Sequence, residues 1–177
     1  MIQTSRLTLR KFIKEDHQQV IPLLMDPDFM AFSPTGSMSQ QQAESRFEAL
    51  VRAFSVKGIG KLAVIETVSD ELIGYCGIES FPDKGQDAVE LGYRLKTSAR
   101  GKGYAEEASH AVLSFALQMG YQHIIALVDL QNAASHHILL KLGFERREQG
   151  AYQGMPVQFY EKKLSSPASV SQLFNCD

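Results

Sequence analysis

The stretch from Val89 to Ala105 constrains the fold more than any other part of the chain. Val89, Leu91, Tyr93 and Leu95 alternate with Glu90, Gly92 and Arg94, the period of a strand with one apolar face. Arg100-Gly101-Lys102-Gly103 then turns the chain, and Tyr104-Ala105 opens a helix. At such a junction the first helical N–H groups lack intrahelical acceptors, and the helix dipole favours negative charge. Gly101 and Gly103 can reach positive φ and put no side chain between backbone and ligand. Arg100 and Lys102 add positive charge, so the turn is suited to phosphate, although Gly-x-Gly turns also end strands without binding anything. There is no Gly-x-x-x-x-Gly-Lys-Ser/Thr, and Glu106 stands where the last glycine of Gly-x-Gly-x-x-Gly would be, so the anion belongs to something other than ATP or NAD.

The chain has 177 residues, enough for one domain with a good core and short for two. A net charge of -2 gives no global pull toward nucleic acid or anionic membrane, so an anion site must be local. Two cysteines, Cys76 and Cys176, form neither a disulfide framework nor a metal spacing, which fits a reducing cytoplasm. No apolar run approaches membrane-spanning length and no secretory h-region opens the chain.

Residues 6–12 alternate as a first strand, and residues 15–25 read as a helix that Pro22 should kink or confine to one side. Ser39 and Gln42 form a capping box before the helical pattern Ala43, Phe47, Leu50, Val51, Phe54, which Gly58 stops. Residues 62–66 and 72–81 read as a hairpin turning at Ser69-Asp70, and residues 82–85 turn again into the strand ending at Leu95. The helix after the glycine turn carries Ala105, Ala108, Val112, Phe115, Ala116 and Met119 on one side and stops at Gly120. Residues 123–129 make a buried strand, 133–142 a short helix closed by Gly143, and 144–147 and 157–163 two last strands. The order predicts a mixed sheet with helices on both faces, a domain over residues 1–164 and a mobile polar tail over 165–177.

Arg100-Gly101-Lys102-Gly103-Tyr104-Ala105 resembles the Arg/Gln-x-x-Gly-x-Gly/Ala pyrophosphate loop of the GNAT superfamily of acetyl-CoA-dependent N-acetyltransferases. Asn132-Ala133-Ala134-Ser135 with Lys141-Leu142-Gly143-Phe144 is similar to its second cofactor segment, and Thr4-Ser5-Arg6-Leu7-Thr8-Leu9-Arg10 to the start of its RimJ/RimL-like branch. The resemblance spans residues 3–164 in three separated motifs. It implies an α/β fold whose mostly antiparallel, twisted mixed sheet splays beside the strand before the glycine turn, where the pantetheine arm of acetyl-CoA lies. It further implies that Leu95, Thr97, Arg100, Gly101, Lys102, Gly103, Tyr104, Ala105, Asn132 and Ser135 contact the cofactor, with no metal.

Amine acetylation needs a neutral amine, a polarised thioester carbonyl and a proton for the departing thiolate. Glu90 is the candidate base, able to accept a proton directly or through water; the competing reading is an ion-paired strand glutamate with Arg94 as its partner. Ser135 is the candidate acid, since Leu139 stands where other branches of the resembling family place a tyrosine; alternatively it is the N-cap of the following helix. Asn132 would orient the pantetheine amide or cap a turn. The resemblance assigns the acceptor cleft to residues 29–33 and 150–154, with Phe32, Tyr75 and Tyr152 as substrate contacts, though aromatics at such points also serve as core. His110, His136 and His137 read as solvated or partly exposed helix residues with no metal-pair spacing, and Cys76 as a small core residue.

The resemblance implies transfer of an acetyl group from acetyl-CoA to a primary amine, foremost the N-terminal α-amino group of a protein or peptide. A polyamine, amino acid or aminoglycoside acceptor, or a non-catalytic acyl-CoA-binding module, are the rival readings. The expected partners are the cofactor and the amine, with no nucleic acid or membrane, in a monomeric or homodimeric cytoplasmic protein.

Overall fold

The computed structural model describes residues 1–165, so all of the expected tail except Ser165 lies outside the described residues. Eight strands, β1 (Ile2–Gln3), β2 (Leu7–Arg10), β3 (Lys61–Glu66), β4 (Glu71–Ser80), β5 (Val89–Leu95), β6 (His123–Asp129), β7 (Glu145–Tyr152) and β8 (Met155–Lys163), form one sheet. Its order is β1-β2-β3-β4-β5-β6-β8-β7. Four helices accompany it: α1 (His17–Met25), α2 (Gln40–Lys57), α3 (Tyr104–Gln118) and α4 (Ala133–Lys141).

Every strand pairing is antiparallel except β5 with β6, which are parallel and meet at the single pair Glu90↔Ile125. A parallel neighbour demands a crossover, and α3 supplies it. Past Glu90 the two strands diverge, so Leu91–Leu95 of β5 has no strand partner on that side. This opening positions the site.

One core lies between the sheet and α3 and α4, where Cys76, Ile78, Val89, Leu91, Ala108, Val112, Ala116 and Leu139 pack together. A second lies under α1 and α2 and collects Phe12, Leu24, Phe29, Met30, Phe47, Leu50, Ala63, Ile65 and Tyr75, and a small third joins Phe81, Val157 and Phe159. The Ser39 capping box closes α2 as its spacing requires, and Gly58 ends it in the left-handed region at φ 72°.

Some elements differ from the sequence expectation. Pro22 sits inside the nine-residue α1 without dividing it; a 3-10 turn at Lys14–Asp16 replaces the expected first helical turn. On α3 the buried face includes Tyr104, Ser109 and Leu113, while Met119 is exposed. A register shift between Val64 and Ile65 leaves Ile73 as an extra residue of β4. It reverses the alternation, so Leu72 and Tyr75 face α1 and α2 while Ile73 and Cys76 face α3.

Candidate active site and cofactor cleft

The divergence of β5 from β6 opens a cleft of about 640 Å³ that runs from the glycine turn and α4 to the segment between α1 and α2. Its size is that of a site for a small ligand. Leu95, Arg100, Gly101, Gly103, Tyr104, Ala105, Asn132 and Ser135, expected at the cofactor, line the end at the glycine turn and α4; Phe32, Tyr75, Glu90 and Tyr152 line the rest. Thr97 and Lys102 lie outside the walls.

The turn is shaped from behind. Gly101 and Gly103 take φ 74° and 80°, as a tight anion-cradling turn requires. Arg6 donates to the Lys102 carbonyl at 2.9 Å, lies 4.6 Å from the centre of the Tyr104 ring and pairs with Glu107 at 2.6 Å. The Tyr104 hydroxyl donates to Glu66 at 2.5 Å, tying the start of α3 to β3. Among the described residues the N–H groups of Gly101, Lys102 and Gly103 donate to no protein acceptor. The first turn of α3 also carries two carboxylates that would repel a diphosphate, but each is engaged: Glu107 by Arg6, Thr4 and Ser5, and Glu106 by Lys141 at 2.8 Å. These residues fit the diphosphate of coenzyme A. The Arg100 guanidinium is spent differently from a free phosphate ligand: it donates to the carbonyls of Leu95 at 3.1 Å and Asp28 at 2.8 Å, joining the glycine turn to the segment between α1 and α2.

At α4 the N-cap is Asn132, whose side chain accepts from the Ser135 N–H at 3.2 Å. Ser135 is therefore not the cap, and it lines the cleft with its side chain beside the Tyr93 hydroxyl. The Tyr93 hydroxyl is sealed from solvent without a hydrogen bond of good geometry, and burial pushes its phenol up to about 12 although Ser135 pulls the other way. His136 is structural: one ring nitrogen meets the Tyr160 hydroxyl at 2.6 Å and the other the Asp129 carbonyl at 3.1 Å. Burial pushes the Cys76 thiol up to about 12, which makes it inert as a nucleophile.

Glu90 is ion-paired, but not with Arg94. Its Oε1 accepts from Lys61 Nζ at 2.7 Å, while Arg94 donates to the Tyr75 hydroxyl and the Phe29 carbonyl. Lys61 also lies 3.4 Å from Glu79, which accepts from Arg46 on α2 at 3.0 and 3.2 Å. Lys61, Glu79 and Arg46, none of them singled out in the sequence, thus form an alternating charge chain ending at Glu90. Burial opposes the charge on Lys61, yet Glu90 and Glu79 outweigh it and raise its pKa. Burial likewise works against Glu79, and Lys61 and Arg46 reverse it to leave its pKa lowered. A lowered folded-state pKa contributes stability above the ordinary value of 4.5 and loses it as pH falls through the folded value. Glu79→Gln is expected to lower the urea midpoint at pH 7 and to narrow the difference between pH 7 and pH 3, which denaturation curves at the two pH values read directly.

The family description of the acetyltransferase (GNAT) domain matches residues 6–145. The chain belongs to the GNAT family. It is an acetyl-CoA-dependent N-acetyltransferase. The uncharacterized N-acetyltransferase YnaD of Bacillus subtilis is 30% identical over 146 residues, covering 82% of each chain. The yncA protein of Salmonella typhimurium, solved with acetyl-CoA, shares the fold at TM-score 0.70 and 20% identity, over 96% of this chain and 100% of that one. A ribosomal-protein-S5-alanine acetyltransferase of Vibrio fischeri does so at TM-score 0.73 and 18% identity, over 91% and 94%. The mostly antiparallel, splayed sheet expected from the resemblance is the GNAT sheet observed here. Among the described residues no group of three or more His, Cys, Asp or Glu is placed to hold a metal ion, and no helix is long and apolar enough to cross a membrane.

Proposed function

We propose that the acceptor of this GNAT enzyme is an α-amino group at the N-terminus of a protein or peptide, acetylated directly in a ternary complex. The observation that carries the reading is Glu90: it stands where β5 leaves β6, and its carboxylate meets the cleft that the cofactor turn also lines. Acetyl-CoA supplies the activated acyl thioester. The chain does the rest: the glycine turn holds the diphosphate, and unpaired backbone of β5 beyond Glu90 orients the pantetheine arm. Glu90 receives the amine proton directly or through water, and the Ser135 hydroxyl or a water protonates the departing sulfur.

An α-amine suits this base. Carboxylates are weak bases toward ammonium groups, so the reacting amine must be drawn from the fraction that is already neutral. At pH 7.5 about a third of a terminal α-amine of pKa ~7.8 is neutral, against about one in a thousand for a lysine-like amine of pKa ~10.4. The walls around Glu90, with Phe29, Phe32, Tyr75 and Tyr152, offer apolar contact to a first residue. The Vibrio fischeri relative, named for a ribosomal-protein alanine, is a precedent within the fold. The reading also places the protein in the cytoplasm, where its thiol Cys76 stays reduced.

Thiol release from acetyl-CoA tests it with two acceptor pools, peptides with free Ala, Ser or Met N-termini and a set of polyamines, amino acids and aminoglycosides. Turnover confined to the peptides is expected. Turnover confined to the small amines would overturn the acceptor, and silence in both with retained acetyl-CoA binding would overturn it as well, leaving an acceptor of another class or a non-catalytic module.

A further inference from the structure

Lys61 is a cation with a 5% exposed side chain, at the opposite end of β3 from Glu66, the residue that bonds Tyr104 beside the glycine turn. Its place follows from the register of three strands. Lys61 lies opposite Gly77 on β4, and Gly77 opposite Gly92 on β5, so two glycines in a row clear a trough across the sheet. The lysine side chain occupies that trough, donates to the Gly77 carbonyl at 3.3 Å and reaches Glu90 at its far end. A Cβ on Gly92 would stand 2.6 Å from Lys61 Nζ and 3.2 Å from Glu90 Oε2. Glu90 Oε2 has no hydrogen-bond partner among the described residues and is not sealed from solvent.

We propose that Lys61 is a positioning residue: from the Gly77–Gly92 trough it holds Glu90 by Oε1 and leaves Oε2 turned to the incoming amine. The inference rests on the reading of Glu90 as the group that meets the amine. Glu79 and Arg46 complete it, for Glu79 binds the lysine from the other side and Arg46 balances Glu79. The ammonium therefore has one low-energy place, and Glu90 inherits it. A long acid side chain without this clamp would spread over several rotamers, and a base misplaced by about 1 Å can cost on the order of 100-fold in rate.

Lys61→Met keeps most of the volume and removes the charge. It is expected to fold, because Glu79 retains Arg46 and Glu90 retains solvent at Oε2. Kinetics are run on whichever acceptor pool the wild-type enzyme turns over. The expected result is a kcat lowered about 10- to 100-fold with the KM for acetyl-CoA within about twofold, and no further loss when Lys61→Met is added to Glu90→Gln. Gly92→Ala displaces the lysine without removing its charge and should lower kcat similarly. Losses that multiply in the double variant, or full activity of Gly92→Ala, would overturn the proposal. An NMR measurement separates its failure from that of the acceptor reading. In the ligand-free protein the buried Lys61 ammonium should give a slowly exchanging 1H–15N cross-peak that shifts in Glu90→Gln. That shift with peptides inert in the assay removes the α-amine reading and keeps the clamp; a cross-peak indifferent to Glu90→Gln removes the clamp.

Discussion

Glu90→Gln should lower kcat by about 10²- to 10⁴-fold while the dissociation constant for acetyl-CoA stays within about twofold of wild type. Glutamine has the shape of glutamate and its amide oxygen can still accept from Lys61, so the clamp geometry survives while the proton acceptor does not. The cofactor turn is built by Arg6, Glu66 and Glu107, none of which touches Glu90, so binding at that end should not register the change. Steady-state kinetics with a peptide acceptor, paired with calorimetric titration of coenzyme A, read the two quantities separately. A variant that keeps more than a tenth of its kcat would move the proton to water alone and end the role given to Glu90. A loss of cofactor affinity equal to the loss of rate would instead make Glu90 a binding residue.

The glycine turn was legible because its physics is local. A strand period, two glycines free to take positive φ and a helix start all fall within seventeen consecutive residues, Val89 to Ala105. The partner of Glu90 was not legible, and the reason is distance. Glu90 and Arg94 share a face of β5, but four residues of strand separate them by about 13 Å, too far for a direct bond. Lys61 is 29 residues away in sequence and reaches Glu90 only because β3, β4 and β5 pair in one particular register. That register includes a bulge at Ile73, which no alternation pattern announces.

Ser135 shows a subtler limit. Serine and asparagine both favour the N-cap, and here asparagine three residues earlier takes it. The cap thereby places Ser135 at the third helical position, with its N–H bound and its side chain beside Tyr93 in the cleft wall. Tyr93 itself reads in the sequence as one more apolar-face residue of β5. Only its packing shows a phenol sealed without a good partner, directly beside the proposed acid.

The same added methyl group should cost stability at one glycine of the trough and chiefly rate at the other, and the first is the largest stability effect expected. At Gly77 a Cβ would stand 2.2 Å from the Gly60 carbonyl oxygen and 2.6 Å from Lys61 Cα, both backbone. Backbone cannot rotate away as a side-chain tip can, so β3 and β4 would have to part in the middle of the sheet. Gly77→Ala is expected to cost about 3 kcal/mol, the upper part of the range for overpacked cores. For a domain of this size that is about 6–12 °C in melting temperature. Activity should fall further than stability accounts for, because the strand that moves carries Lys61. At Gly92 the nearest obstacle is the flexible end of Lys61, so Gly92→Ala should melt within a few degrees of wild type and lose rate rather than fold. Calorimetric melting of the two variants side by side checks the contrast. Equal melting temperatures would mean that the sheet yields at Gly77, and the trough would then be a looser channel than the lysine clamp requires.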